Sequence, residues 1–232
     1  MGWGFIWNLF AKKKEEPKPT APPEPVKSIP MTIPTIKKIP LDKGQYRTDK
    51  QNKTHIFLHH TAGGSVAGAI AGWNSTPERV ATPYIIERTG DIYEVYDPEL
   101  WANHLGGKCP LWLEKASIGI EIVCYGQLTK KINGDLTTYT GRTIKPEDAV
   151  KADFRGYEYY QRYTPEQISA LKQLLPYLVD KFKIKLQEDR KNFWEYQDPS
   201  KLPPGIWSHT TVRKDKVDIF PQKEIVDLVY SI

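Results

Sequence analysis

Two stretches far apart in the chain carry side chains able to hold a metal ion. Residues 55–64 read HIFLHHTAGG, a short strand pattern that ends in two histidines and a glycine-bearing turn. Residues 208–221 read SHTTVRKDKVDIFP and add another histidine, two lysines and two aspartates. Imidazole and carboxylate suit zinc, and a catalytic zinc site takes three protein ligands and leaves a fourth position for water. His59, His209 and Asp218 form such a trio. Two imidazoles and one carboxylate leave a net positive charge on a bound dication, which acidifies a bound water. Asp215 is a rival to Asp218. Asp218 is preferred because the Ile-Phe-Pro after it would bury its end of the loop. His60 reads as a turn-capping or packing residue, and His55 as a satisfied core or surface histidine.

These groups need strands and helices to hold them. Residues 55–59 read as a strand. Residues 65–73 read as a short helix with Val66, Ile70 and Trp73 on one face. Residues 83–88 and 91–96, joined by Thr89-Gly90, read as a hairpin. Residues 117–124 alternate: Ile118, Ile120 and Ile122 point to one side, Ser117, Gly119 and Glu121 to the other. The Glu121 carboxylate therefore stands on a face of small residues with room for a ligand. Asn133-Gly134 signals a second hairpin within residues 130–139. The tyrosine-rich remainder (Tyr157, Tyr159, Tyr160, Tyr163) could wall a groove, but packing accounts for most of it. Thr164-Pro165-Glu166-Gln167 opens a helix as N-cap, first helical position and third position. Ile168, Leu171, Leu175, Leu178 and Phe182 form its apolar face, and Pro176 should kink it or end it early. Residues 191–204 read as loop, 206–209 as a short strand and 221–230 as a closing helix. This order predicts an α/β domain with a single central mixed β-sheet flanked by helices.

The chain has 232 residues, seven Trp, thirteen Tyr and a formal net charge of +5. That length suffices for one sizeable domain plus a tail. The charge suits an anionic partner such as a membrane, a cell wall or nucleic acid, and selects none of them. No aromatic–basic RNA motif or helix-turn-helix signature is present, so a nucleic-acid partner is not expected. The two cysteines, Cys109 and Cys124, are too few for a disulfide framework and read as free thiols. Residues 1–15 place Trp3, Ile6, Trp7 and Phe10 at helical spacing ahead of three lysines. Such a segment could make weak membrane-surface contact through residues 1–14. Residues 16–45 are rich in Pro, Lys and Glu and read as a linker. The folded domain is expected over residues 46–232.

The order of HHTAG, TPYIIERTGDIYEVYD, WANHLG, SIGIEI and SHTTVRKDKVD resembles zinc-dependent N-acetylmuramoyl-L-alanine amidases. That family is shared by phage endolysins, bacterial wall-recycling amidases and animal peptidoglycan-recognition proteins. The resemblance spans about residues 53–232. It implies the fold of that family and zinc held by His59, His209 and Asp218. It also implies Glu121 as general acid/base and Lys216 as stabiliser of the tetrahedral oxyanion. His104 falls on a histidine that lines the substrate groove. Thr82 falls where many members place a catalytic tyrosine, a departure that leaves the acid/base task to Glu121. Trp101, like Trp73 and Trp112, could offer a sugar-stacking surface or simply pack. The last motif also departs, with Asp-Ile-Phe-Pro where many relatives have Asp-Pro-Gly. The implied reaction is hydrolysis of the amide between N-acetylmuramic acid and L-alanine in peptidoglycan, by a chain expected to be monomeric. The alternative is a module that binds peptidoglycan without cutting it. Members of that kind usually lose a zinc ligand, and this chain retains a full set.

Overall fold

The computed structural model describes residues 33–107, 109–188 and 190–232. The aromatic–lysine segment 1–15, its expected membrane contact and residues 16–32 of the expected linker lie outside them. In chain order the elements begin with β1 (Ile36–Lys38), β2 (His55–His60), α1 (Val66–Asn74), β3 (Tyr84–Ile86), β4 (Ile92–Glu94), α2 (Leu111–Ala116) and β5 (Ser117–Ile122). Next come β6 (Gln127–Lys130), β7 (Leu136–Thr137), β8 (Thr143–Ile144), β9 (Ala149–Phe154) and β10 (Tyr157–Gln161). The chain closes with α3 (Pro165–Phe182), β11 (Gly205–Ser208), α4 (His209–Val212) and α5 (Lys223–Ser231). Among the described residues no helix is long and apolar enough to cross a membrane.

The central sheet runs β1-β4-β3-β5-β2-β11 and is mixed. β3, β5, β2 and β11 lie parallel, while β4 runs antiparallel to β3 as the second arm of the hairpin. Alternation along β2 and β5 divides the side chains between two layers. Ile56, Leu58, Ile118, Ile120 and Ile122 face the main core with Leu171, Leu175 and Leu178 of α3 and Ile225 and Leu228 of α5. On the opposite face Phe57 packs with Leu105, Leu113 and Trp207.

Helix α3 begins as its sequence dictates. Thr164 Oγ1 accepts from the Gln167 N–H at 3.1 Å, and Gln167 Oε1 accepts from the Thr164 N–H at 3.0 Å. Pro176 does not end it, and the helix continues to Phe182. Burial of Leu171, Leu174, Leu175 and Leu178 on the sheet holds both halves in place, against an interior-proline cost of about 3 kcal/mol.

The expected central mixed sheet is present, and two features add to it. Residues 127–161 build a second, antiparallel sheet ordered β8-β7-β6-β10-β9. Within and after it, Tyr160 and Tyr163 are fully buried and stack on Phe220, with ring centroids 4.4 and 4.6 Å apart. Residues 33–45, expected as linker, already belong to the fold. β1 pairs in parallel with β4, Ile36 opposite Ile92, and Leu41 is buried with its N–H donated to Val95 O. A three-residue edge strand needs few apolar groups, so the proline-rich composition masks it.

Candidate active site and metal centre

The site forms where parallel strands end, the usual place for a ligand in an open α/β sheet. His59 is the penultimate residue of β2, Glu121 that of β5, and His209 directly follows β11. Asp218 arrives from the loop after α4. That loop is anchored by the buried pair Ile219 and Phe220, and the Thr210 N–H donates to Asp218 O at 3.0 Å.

Three lone-pair atoms converge. His59 Nδ1 lies 3.1 Å from His209 Nδ1 and 3.2 Å from Asp218 Oδ2, and His209 Nδ1 lies 2.9 Å from the same oxygen. His59, His209 and Asp218 are the group able to hold a metal ion among the described residues. A tetrahedral zinc with bonds near 2.0–2.1 Å would set such donors roughly 3.3 Å apart. The tautomers agree with that use. His59 Nε2–H donates to His104 Nδ1 at 3.0 Å, and His209 Nε2–H donates to the Leu105 carbonyl at 3.0 Å. Both Nδ1 atoms then face Asp218 Oδ2, where either a proton or a bound cation can sit between ring and carboxylate. Two imidazoles and a carboxylate are a donor set that zinc accepts.

Protonation favours the same state. Burial and the neighbouring His209 push His59 down to about 4, against the pull of Asp218, so its ring is neutral. Burial opposes ionisation of Asp218, but the imidazoles of His209 and His59 outweigh it and hold the carboxyl well below its usual range. Asp215, the rival ligand, is exposed and turned away to Arg213, whose Nε donates to Asp215 Oδ1 at 2.8 Å.

Glu121 lies beside this group, opposite His59 in the β2–β5 register. Its Oε2 is shielded from solvent and has no hydrogen-bond partner among the described residues. Burial raises its carboxyl well above the usual range; Asp218 adds to this and Lys216 opposes it. An unpaired buried carboxyl oxygen is costly, and such atoms concentrate at functional sites.

A cleft of about 660 Å³ opens over these groups. His59, His209, Asp218, Glu121, Lys216 and His104 line it, so six of the eight residues predicted for the site share one cavity. The second sheet supplies a wall with Gln127, Arg155 and Tyr157; of the tyrosines that could wall a groove, Tyr157 does so, while Gln127 and Arg155 carried no signal in the sequence. Arg155 also ties down α4 and the loop after it, donating to Thr210 O at 3.0 Å and Lys214 O at 2.9 Å.

Two predicted substrate contacts stand elsewhere. Thr82 is buried and donates its hydroxyl to Tyr84 O at 3.0 Å, with its methyl group against Gly119. Trp101 is buried, with the Arg47 guanidinium 4.2 Å and the Lys115 ammonium 5.0 Å from its ring. Its Nε1–H donates to Asp49 Oδ1 at 2.8 Å. His104 reaches the cleft but spends both ring nitrogens inside the protein, accepting from His59 and donating to Ser117 Oγ at 2.7 Å. His55 is satisfied in the core, with Nε2–H donating to Leu202 O at 3.3 Å, and His60 Nδ1 lies 3.1 Å from the Tyr163 hydroxyl. Both cysteines are free; Cys124 is buried and Cys109 half-buried.

Comparison with curated protein sequences gives no significant match. Among solved structures, the chain is similar to the endolysin N-acetylmuramoyl-L-alanine amidase LysCS from Clostridium intestinale URNW. The identity is 15%, with 87% of this chain and 97% of that one covered and a TM-score of 0.48. It is also similar to the Ph2119 endolysin from the Thermus scotoductus MAT2119 bacteriophage Ph2119, at 14% identity over 83% of this chain and 96% of that one, with a TM-score of 0.46. A selenomethionine derivative of AmpD shows 16% identity over 84% of this chain and 94% of that one, with a TM-score of 0.47. The sequence profile of the N-acetylmuramoyl-L-alanine amidase family matches residues 49–222, from ahead of β2 to beyond Asp218, and the chain belongs to that family.

Proposed function

We propose that this chain is a zinc-dependent, monomeric hydrolase of the amide bond between N-acetylmuramic acid and L-alanine in peptidoglycan. The observation that carries the reading is the orphaned Glu121 oxygen beside the His59–His209–Asp218 cluster, in one cleft. His59 and His209 through Nδ1 and Asp218 through Oδ2 would hold the metal. When bound there, zinc supplies a Lewis acid for the scissile carbonyl, acidifies a water and favours the ionised form of Glu121.

The chain's own residues do the rest. Glu121 takes the proton of the attacking water and returns it to the departing alanine nitrogen. Lys216 places positive charge where the carbonyl oxygen becomes negative, a preorganised contribution of about 3 kcal/mol in comparable sites. Arg155, Lys214 and Lys216 give the cleft a basic rim suited to the carboxylates of a muramyl peptide. A recognition module that binds without cutting would need neither a complete donor set nor a buried unpaired carboxylate, so hydrolysis is the better reading.

The test is turbidity loss of purified peptidoglycan, with and without chelator, for the wild type and Glu121→Ala. Mass spectrometry should detect new L-alanine amino termini with the wild type alone, and only without chelator. Zinc-loaded protein that leaves the glycan–peptide links intact would make it a binding module.

A further inference from the structure

Both imidazoles of the metal centre are oriented by consecutive residues of one loop. His104 Nδ1 accepts from His59 Nε2–H, and the Leu105 carbonyl accepts from His209 Nε2–H, each at 3.0 Å. Residues 104–106 belong to no helix or strand. No ladder of backbone hydrogen bonds fixes them, and something else must.

That anchor is Glu114 of α2, which is buried. Its Oε2 accepts from the His104 N–H at 2.8 Å, and its Oε1 accepts from the Gly106 N–H at 2.9 Å. The Leu105 N–H sits between them, 3.1 Å from Oε1 and 3.2 Å from Oε2. Three successive N–H groups thus converge on one carboxylate, a nest with the anion supplied by the protein itself. Gly106 closes the nest at φ +89°, where a side chain would be strained and a Cβ would strike the Arg213 guanidinium. Ser117 completes the His59 arm: it accepts from His104 Nε2–H and donates to Glu114 O at 3.2 Å.

We propose that Glu114 is a positioning residue of the metal centre, whose carboxylate fixes the 104–106 backbone and through it the orientation of both His59 and His209. This rests on the zinc reading of the site. Partners that orient ligand histidines are worth roughly 10–100-fold in metal affinity. A carboxylate is required because it is acceptor-only on both oxygens. Glutamine offers one oxygen and turns an NH₂ toward N–H groups.

The experiment compares zinc affinity, by competition with a chromophoric chelator, for the full-length wild type, Glu114→Gln and Ser117→Ala. The melting temperature of each metal-free protein and KM for peptidoglycan at saturating zinc are measured alongside. The expected result is one zinc per wild-type chain, binding weakened about 10–100-fold in Glu114→Gln and less than tenfold in Ser117→Ala, with KM unchanged. If Glu114→Gln fails to fold, Glu114→Asp, which keeps both oxygens on a shorter arm, replaces it and should also bind zinc more weakly. Wild-type zinc affinity in a folded Glu114 variant, with only the melting temperature lowered, would overturn the proposal and make Glu114 a residue of the fold alone. A wild type that holds no zinc would instead sink the site reading on which this one rests.

Discussion

Glu121 stands opposite His59 in the parallel register between β5 and β2. In-register neighbours project to the same face of a sheet, so a carboxyl oxygen without a partner and a candidate metal ligand are held side by side by two central strands. Neither can drift from the other without breaking the ladder. The acid is also kept apart from the ligand set, because the three atoms that meet at one point come from His59, His209 and Asp218.

That separation predicts distinct effects on binding and chemistry. Glu121→Gln preserves shape and removes the proton acceptor. The kcat for peptidoglycan hydrolysis should fall on the order of 10²–10⁴-fold, while the zinc content stays that of the wild type. Activity within a few-fold of wild type, in a protein with full metal content, would move the base to another residue.

The two aspartates of the same loop should behave oppositely. Asp218 faces both imidazoles, whereas Asp215 is exposed and paired with Arg213. Asp218→Asn should lower zinc affinity on the order of a hundredfold or more, and Asp215→Asn should leave it within about twofold. Equilibrium dialysis against a zinc buffer separates the two. Comparable losses in both variants would mean that the ligand set is misassigned.

Much of this site is legible in the sequence because it depends on strand periodicity. The alternation of Ile118, Ile120 and Ile122 with Ser117, Gly119 and Glu121 fixes which face the acid takes before any tertiary contact is considered. The same holds for His59 at the end of an apolar strand. The Ile-Phe-Pro after Asp218 also carries readable information, since Ile219 and Phe220 are fully buried and hold the loop.

The remainder depends on partners that leave no trace in spacing. Glu114 acts on backbone N–H groups, which every residue but proline carries, so nothing in WLEKAS marks it. Trp101 has the right chemistry for sugar stacking, yet two cations from distant positions, Arg47 and Lys115, cover its ring. The second sheet pairs β6 with β10 across some thirty residues of polar, tyrosine-rich chain, and only its inner hairpin carried a turn signal.

Trp101→Phe tests that placement. The variant loses the Nε1–H bond to Asp49 and weakens the contacts with Arg47 and Lys115, while its ring still fills the site. The melting temperature should fall by a few degrees, with kcat and KM for peptidoglycan unchanged. A severalfold rise in KM at unaltered stability would return Trp101 to the substrate groove.

Lys53 yields a prediction about stability and pH. Its side chain is buried behind β5, where Nζ donates to Lys115 O at 2.8 Å and Ser117 O at 3.0 Å. Burial pushes the ammonium down to about 7 from its ordinary 10.5. Between those values the unfolded chain carries the proton more often than the folded one, so stability rises with pH across the interval. The contribution is fully present above the unfolded value and is lost as pH falls through about 7. Lys53→Met removes the titration. The stability difference, wild type minus Lys53→Met, should therefore grow in favour of the wild type from pH 7 to pH 10, by an amount on the order of a few kcal/mol. Urea unfolding of both proteins at several pH values measures it. The subtraction cancels tyrosine and cysteine titrations common to both chains, including Cys109, which burial raises to about 11. A difference that stays flat across that range would show that the two carbonyl bonds keep Lys53 charged in the fold.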